Sequence, residues 1–257
     1  HSLSPSQAAW PDIPYPYNTL NYSGIYDGDM VIGKYYTQPD KAGSFALELV
    51  HLYKMTGLSV YLDAAVSIAN TLAAKTENGD AVHSPMPFKV NALTGETGVL
   101  TKEIHDLTPV GQSSYTSNWA PTMELFLELQ QLHRGNTPFY AAAFDRLLRW
   151  MKQYPLKTNR WGPFFEDVAG WSDTQINAMT FARFIMEHRE YFPDWQGDVK
   201  GIVGWVYREL GNRSWENYGM MVVNEQTWYR TPANSHTARQ AADELLYVHL
   251  TGDSTWY

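Results

Sequence analysis

Apolar side chains recur at helical spacing from about residue 44 onward. The first stripe, at i, i+3, i+4 and i+7, consists of Ala46, Leu49, Val50 and Tyr53. A second stripe follows the dipeptide Thr56-Gly57, so the pattern predicts an antiparallel pair of helices joined by a short turn. Residues 1–39 are rich in Pro, Tyr, Asn and Gly and lack this spacing, which predicts an irregular arm packed on the helical domain.

The helical hairpin repeats along the chain. Its turn recurs at Thr251-Gly252 and, in looser form, at Arg134-Gly135. A further pair of helices is predicted over 173–188 and 197–210. Three intervals in 195 residues give about 65 residues per hairpin, more than the roughly 20–50 residues usual in repeat arrays. The excess length must therefore lie in loops.

Long loops are found between hairpins and not within them. They span 78–117, about 155–171 and 212–234, and each precedes the first helix of a pair. Because they precede equivalent helix ends, we expect them to meet at one rim, partly as short strands. Polar residues of the N-cap type stand at corresponding positions near the four leading helices: Asp40, Asn118, Ser172 and Ser235. These side chains are predicted to cap their helices.

This arrangement resembles the α/α-toroid superfamily, the six-hairpin glycosidase-like proteins that include glucuronyl hydrolases, mannanases, polysaccharide lyases and epimerases. The resemblance covers residues 40–257 and lies in the hairpins and loop placement, so no catalytic residue is transferred from any one family. It implies an all-α fold, an α/α toroid with about four hairpins, the last one incomplete. Six such hairpins would need roughly 390 residues. The shorter length leaves three alternatives: a C-terminally incomplete member, an arc that another chain completes, or a fold other than a toroid.

Composition and charge narrow the choice of partners. The 257 residues include no Cys, so disulfides, thiolate metal sites and cysteine nucleophiles are excluded. A formal charge of −8 without a basic run argues against nucleic acid, and no apolar run reaches the roughly 18 residues of a membrane helix. No metal or phosphate-loop motif is found, so no cofactor is expected. The start at His1 favours a processed product in a periplasmic or extracellular location.

Carboxylates among aromatic residues are the main catalytic candidates. Glu166, Asp167 and Asp173 lie in the loop before the third leading helix, and Glu225 lies before the fourth. Apolar walls and a neighbouring carboxylate raise a carboxyl pKa, as a general acid at neutral pH requires. His236 is a further candidate. The alternatives are structural: Asp173 in a first helical turn is stabilised by the helix dipole, and His236 is a hydrogen-bonded rim histidine.

Aromatic and polar side chains in the same loops predict a binding surface, because aromatic rings stack on the apolar faces of sugars. The candidates are Tyr35, Tyr36, Tyr115, Trp119, Trp171, Gln175, Trp228 and Tyr229. Arg230 joins them, since a guanidinium group can hold the carboxylate of a uronic acid bidentately. With 14% of the residues aromatic, most rings must nevertheless belong to the core or to rim packing.

The leading hypothesis is a glycoside hydrolase that cuts a poly- or oligosaccharide, with a uronate-containing glycan as one option, in a cleft at the toroid mouth. Asp173 and Glu225 would form the acid–base pair, with Glu166 or Asp167 as substitutes. This hypothesis requires two carboxylates that converge within about 10 Å in one cleft.

Two other functions are compatible with the sequence. A polysaccharide lyase or epimerase on the same scaffold would use Tyr229 or His236 as the base and Arg230 on the substrate carboxylate. A non-catalytic helical-repeat protein would bind a glycan or a protein partner. A cleft lined by aromatic rings without convergent carboxylates would favour that last function.

Overall fold

The computed structural model describes residues 2–15, 34–102, 106, 108–165 and 170–255. This part of the chain is mostly helical, with eight helices and a few short antiparallel strands. The helices are α1 (Pro39–Thr56), α2 (Ser59–Lys75), α3 (Ala120–Gln131), α4 (Thr137–Gln153), α5 (Pro155–Thr158), α6 (Gln175–Glu187), α7 (Trp195–Leu210) and α8 (Asn234–Thr251). The helical fold class expected from the apolar spacing is confirmed. No helix in these segments is both long enough and apolar enough to span a bilayer.

The predicted turns have the geometry that glycine allows. Gly57 between α1 and α2 has φ of +71°, and Gly135 between α3 and α4 has φ of +70°. Asn136 caps α4, because its side-chain oxygen accepts a hydrogen bond from Phe139 N (3.3 Å). Gly252 ends α8 with φ of +74°. A left-handed glycine therefore stands at each repeat of the turn motif.

The leading helices α1, α3, α6 and α8 contact one another in chain order, α1 to α3, α3 to α6 and α6 to α8. The trailing helices α2, α4 and α7 pack on their leading partners, and α2 also contacts α4. At Gly43, an added Cβ would lie 2.0 Å from Thr122 Oγ1, so α1 and α3 approach each other closely there. This packing places the N-terminal ends of successive leading helices beside one another.

The core between the helices is rich in aromatic side chains. The largest fully buried members are Trp119, Trp150, Trp161, Tyr140, Tyr247, Phe88, Phe126, Phe181, Phe184 and Phe192. On α8, Leu246 and Leu250 are half-buried against this core, whereas Leu245 is 57% exposed. The apolar side chains of this last helix are thus only partly covered.

The strands are short: β1 (Ser2–Leu3), β2 (Pro14–Tyr15), β3 (Tyr36–Thr37), β4 (Val90–Asn91), β5 (Val99–Thr101), β6 (Pro109–Gln112), β7 (Gly211–Asn212) and β8 (Val222–Val223). They form four antiparallel pairs, β1–β2, β3–β4, β5–β6 and β7–β8. The first pair belongs to the N-terminal arm, where Trp10 and Ile13 are buried in the core. Trp10 N also donates to the Ala92 carbonyl (2.8 Å), which ties the arm to the first long loop.

The predicted N-caps are wrong. The N-cap positions of the leading helices are Gln38, Trp119, Thr174 and Ala233, and none makes a side-chain capping bond. The predicted residues bond to neighbouring elements instead: Asn118 Nδ2 donates to Asp40 Oδ2 (2.9 Å), and Ser172 Oγ accepts from Trp228 N (3.3 Å). Tertiary contacts therefore take up the side chains that local preference would assign to capping.

Candidate functional site

The N-terminal ends of the leading helices meet around one piece of chain, residues 161–165, which we call the crossing segment. Lys41 Nζ in α1 donates to the Phe164 carbonyl (3.0 Å), and Thr116 Oγ1, just before α3, donates to the Pro163 carbonyl (3.0 Å). Asn177 in α6 and His236 in α8 also contact this segment. We call the crossing segment together with residues 113–119, 170–174 and 224–233 the loop rim. The long loops before the leading helices therefore contact one another through the crossing segment, as the sequence predicted.

Asp173 is bound into the loop rim through both carboxylate oxygens. Oδ1 accepts from the backbone N–H groups of Trp161 (2.7 Å) and Gly162 (2.8 Å), and Oδ2 accepts from Trp171 Nε1 (3.0 Å). The half-buried Asp173 precedes the N-cap Thr174, so its predicted place in the first turn of the helix is wrong. Three N–H donors fix the orientation of this carboxylate and join two parts of one loop.

An antiparallel bridge between Thr174 and Gln226 joins the loop before α6 to the loop before α8. Gln175 N donates to the Glu225 carbonyl (3.1 Å), and Thr227 N donates to the Asp173 carbonyl (3.0 Å). Side chains alternate along paired strands, so Asp173 and Glu225 are expected on the same face of this pairing. Diagonal neighbours in an antiparallel pair are about 7–8 Å apart. The bridge therefore joins the backbone segments that carry these two predicted carboxylates.

Glu225 is half-buried, and its Oε1 accepts from Gln226 Nε2 (3.1 Å). The chain then turns outward: Trp228 is 65% exposed, Tyr229 is 57% exposed, and Arg230 is exposed. Asp173 N donates to Thr227 Oγ1 (3.0 Å), which holds the base of this exposed turn beside the carboxylates. The turn thus presents two aromatic surfaces to solvent next to a pair of acids.

Three predicted binding residues are buried, so they present almost no surface to a ligand, and their role in binding stays a prediction. Trp119 is 0% exposed and Tyr115 is 3% exposed. Burial raises the pKa of Tyr115, whose hydroxyl donates to the Arg160 carbonyl (2.7 Å). Gln175 is also 0% exposed, and its Nε2 donates to the His236 carbonyl (3.1 Å). Residues beside a helix end in the sequence therefore lie beneath the rim and not on it.

His236 is likewise buried, at 4% exposure, and burial lowers its pKa to about 4, with Arg239 acting in the same direction. Its Nε2 has no hydrogen-bond partner within the described segments, and its Nδ1 lies 3.3 Å from Ser235 Oγ. The imidazole is therefore neutral at pH 7. The side chain therefore presents almost no surface to a ligand, and the catalytic role of His236 stays a prediction.

Tyr35 and Tyr36 lie ahead of α1 and are half-buried. The Tyr35 ring is 6.0 Å from the Tyr15 ring, and Tyr36 pairs with Asn91 across β3 and β4. Burial raises the pKa of Tyr36, and the charge of Glu96 adds to this effect. The contacts of both tyrosines are with the arm and the first long loop, away from the Thr174–Gln226 bridge.

Sequence analysis missed Arg160. Its guanidinium carbon lies 3.9 Å from the ring centroid of Trp171 and 5.2 Å from that of Tyr115. The two rings are themselves 5.0 Å apart, and Trp171 is half-buried. The only sequence signal was an arginine in an aromatic loop, which does not reveal that the rings enclose it.

The sequence predicted Asp40 only as an N-cap and did not indicate its buried contacts. The residue is 0% exposed, and its Oδ2 accepts from Lys41 Nζ (2.7 Å) and from Asn118 Nδ2. Its Oδ1 has no partner in the described part of the chain. Lys41 Nζ lies 3.6 Å from the Phe164 ring centroid, so this ion pair packs against the crossing segment. The equivalence of Asp40 and Asn118 in the repeat was the available signal.

Glu166 and Asp167 lie outside the described residues. Within those residues, no group of three His, Asp or Glu side chains could hold a metal ion. Two open cavities, of about 620 and 440 Å³, lie near the C-terminal end of α2 and share Glu77, His83 and Ser84. None of the predicted site residues lines either cavity.

Comparison with known proteins adds no relative, because the chain matches no family model and no curated protein sequence. We therefore infer the function from the geometry and chemistry of the loop rim.

Proposed function

We propose that this protein is a carbohydrate-active enzyme, a glycoside hydrolase that acts on a poly- or oligosaccharide at the loop rim. The observation that carries the proposal is the Thr174–Gln226 bridge, which joins the two loops that carry Asp173 and Glu225. Glycoside hydrolysis commonly uses two carboxyl groups, about 5–5.5 Å apart for retention and about 6.5–9.5 Å apart for inversion. The spacing expected across the bridge is compatible with such a pair.

The two acids have different surroundings, which suggests different roles. Asp173 accepts three N–H bonds, so it is suited to remain an acceptor and to stabilise positive charge that develops at the anomeric carbon. Glu225 is the proposed proton donor to the leaving oxygen. In this mechanism Glu225 protonates the glycosidic oxygen as the C–O bond breaks. The oxygen of a water molecule then bonds to the anomeric carbon, and the proton that this water releases returns to the Glu225 carboxylate.

Exposed aromatic rings supply the binding half of the proposal. Trp228 and Tyr229 project beyond the bridge, and their surfaces would pack against the apolar faces of sugar rings. Adjacent exposed apolar side chains indicate a binding surface more strongly than isolated ones do. A polysaccharide running along this turn would cover both rings and reach the carboxylates.

The proposal includes an α/α-toroid-like arrangement of the hairpins. The support for it is that leading helices contact one another in chain order and that the loops before them share one rim. A sugar polymer as substrate fits a periplasmic or extracellular site of action, which we propose on that ground alone.

A non-catalytic glycan-binding protein is the second candidate. It is favoured by one observation: both oxygens of Asp173 are already bonded within the protein. A carboxylate with a purely structural role would leave aromatic binding without turnover.

The purified protein should be tested against uronate-containing and neutral polysaccharides, with assays for new reducing ends and for unsaturated products. Reducing ends without unsaturated products support hydrolysis. Unsaturated products would indicate a lyase instead, and binding without any product would indicate the non-catalytic alternative. No binding to any polysaccharide would overturn the carbohydrate proposal.

Trp228→Ala tests the aromatic surface separately from the chemistry. We expect it to weaken glycan binding by about 3- to 10-fold, since an aromatic stacking contact is worth about 0.5–1.5 kcal/mol beyond its buried area. Trp215→Ala is the matched control, because Trp215 is 47% exposed but lies on the 3-10 helix 213–218, outside the bridge. Equal losses in calorimetric titrations of both variants would contradict the assignment.

A further inference from the structure

We infer that Arg160 binds the carboxylate of an acidic sugar and that the substrate is a uronate-containing glycan. This inference rests on the proposed function, and it assigns the carboxylate to a different arginine from Arg230.

The guanidinium group is held by aromatic rings. Trp171 and Tyr115 lie 3.9 and 5.2 Å from its central carbon, and the Tyr115 hydroxyl donates to the Arg160 backbone carbonyl. Gly162 makes this possible, because a Cβ there would lie 2.7 Å from Tyr115 Cδ1. A flexible side chain is thereby fixed before any ligand arrives, which reduces the entropy lost on binding.

Among the described residues, the guanidinium group of Arg160 has no counterion. Its Nε is buried without an acceptor, and among the described residues no carboxylate forms an ion pair with it. The nearby acid, Asp173, gives its oxygens to Trp161, Gly162 and Trp171. A guanidinium group has five N–H donors and is always charged, so it favours a planar acceptor such as a carboxylate. A half-buried cation with unused N–H donors therefore favours the binding of an anion.

Arg160 lies close to the proposed glycan-binding surface. Trp171, which stacks on Arg160, donates through Nε1 to Asp173, and Asp173 lies across the bridge from Thr227. An acid group bound at Arg160 would therefore lie on a sugar close to the proposed catalytic pair. The protein carries a formal charge of −8, so a local fixed cation is needed to retain an acidic ligand. The exposed Arg230 makes no ring contact with any residue that the structure describes.

The test is a binding measurement and does not depend on turnover. Oligosaccharides of galacturonate, alginate and hyaluronan are titrated calorimetrically, each beside its own carboxyl-reduced form. Wild-type protein should prefer at least one acid form by about 10-fold or more, because hydrogen bonds to charged groups are stronger than neutral ones. Arg160→Gln should abolish that preference while leaving the affinity for the reduced form within about 2-fold.

Two further variants make the assignment specific. Arg160→Lys keeps the charge but loses the planar fork, so it should recover only part of the preference. Arg230→Gln is the matched control and should leave the preference intact. Thermal melting of all variants establishes that they are folded.

The outcomes are distinguishable. If the acid and reduced forms bind wild type equally, or if Arg230→Gln causes the loss and Arg160→Gln does not, the inference is overturned while glycan binding stands. If no oligosaccharide of either kind binds, the proposed function fails and this inference fails with it.

Discussion

At the scale of single residues, Asp173 determines how the loop rim is built. Its carboxylate accepts hydrogen bonds from Trp161, Gly162 and Trp171, and these bonds join the two ends of the loop before α6. An aspartate among aromatic residues suggests catalysis in a sequence, and that suggestion does not reveal which donors the fold will bring to it. The local sequence shows the aromatic neighbours of Asp173. It does not show that the loop folds back so that two backbone N–H groups donate to this carboxylate.

Asp173→Asn should destabilise the protein by about 1–3 kcal/mol, because an amide replaces one acceptor oxygen and its NH₂ group faces the donors. Asp63→Asn is the control, since Asp63 is exposed and makes only a 3.7 Å ion pair, so its effect should stay within about 0.5 kcal/mol. Urea unfolding measures both. Equal stability of the two variants would mean that the three bonds do not hold the loop.

At the scale of elements, the sequence predicted the hairpins well because their signals are local. The apolar stripe of α1 and the left-handed glycines at Gly57 and Gly135 depend on neighbours within a few residues. The burial of Tyr115 and Trp119 could not be predicted in the same way, because it depends on helices that are distant in the sequence. The same limit explains why the capping prediction for Ser172 was wrong.

The contact between α1 and α3 can be tested at Gly43. Alanine in a helix interior normally adds about 1 kcal/mol of stability relative to glycine. At Gly43 an added Cβ would meet Thr122 Oγ1, so we expect Gly43→Ala to cost about 1–3 kcal/mol instead.

Gly201→Ala in α7 is the matched control, since nothing lies within 4 Å of its added Cβ, and it should be stabilising by about 0.5–1 kcal/mol. Chemical denaturation of both variants decides the matter. A gain in stability at Gly43 would contradict the close approach of these two leading helices.

The interface of α6 and α8 buries ionisable groups with opposite pH responses. Burial raises the pKa of Asp243 to about 6, although Arg183 and Arg239 oppose the rise and Glu187 adds to it. The native state therefore keeps a proton that the unfolded chain releases, and stability is lost as pH rises from about 4 to about 6. His236 has a pKa of about 4, so its contribution rises with pH from about 4 to about 6.5.

Single variants should separate these opposing contributions. Relative to wild type, Asp243→Asn should gain stability as pH rises from about 4 to about 6, because the loss caused by Asp243 is removed. His236→Gln should gain relative stability as pH falls through the same window. Urea unfolding at several pH values checks both directions. Parallel profiles for the two variants would show that these groups do not titrate as their burial implies.

At the scale of the whole molecule, the loops before four helices meet because those helices lie in chain order with their N-terminal ends together. The repeat made this meeting predictable, since equivalent loops of equivalent units share one end. Which side chains face outward was not predictable. Of the proposed aromatic binding residues, Trp228 and Tyr229 are exposed, while the rings nearer α3 belong to the core.

The most direct test of the account is the rate of reducing-end release from a polysaccharide substrate by Glu225→Gln, compared with wild type. Glu216→Gln is the matched control, because Glu216 pairs with Arg213 on the exposed 3-10 helix. We expect Glu225→Gln to keep substrate affinity and to lose turnover by about 100-fold or more, as for removal of a general acid. Equal rates for the two variants, or a wild-type protein that releases no reducing ends from a glycan it binds, would contradict catalysis at the loop rim.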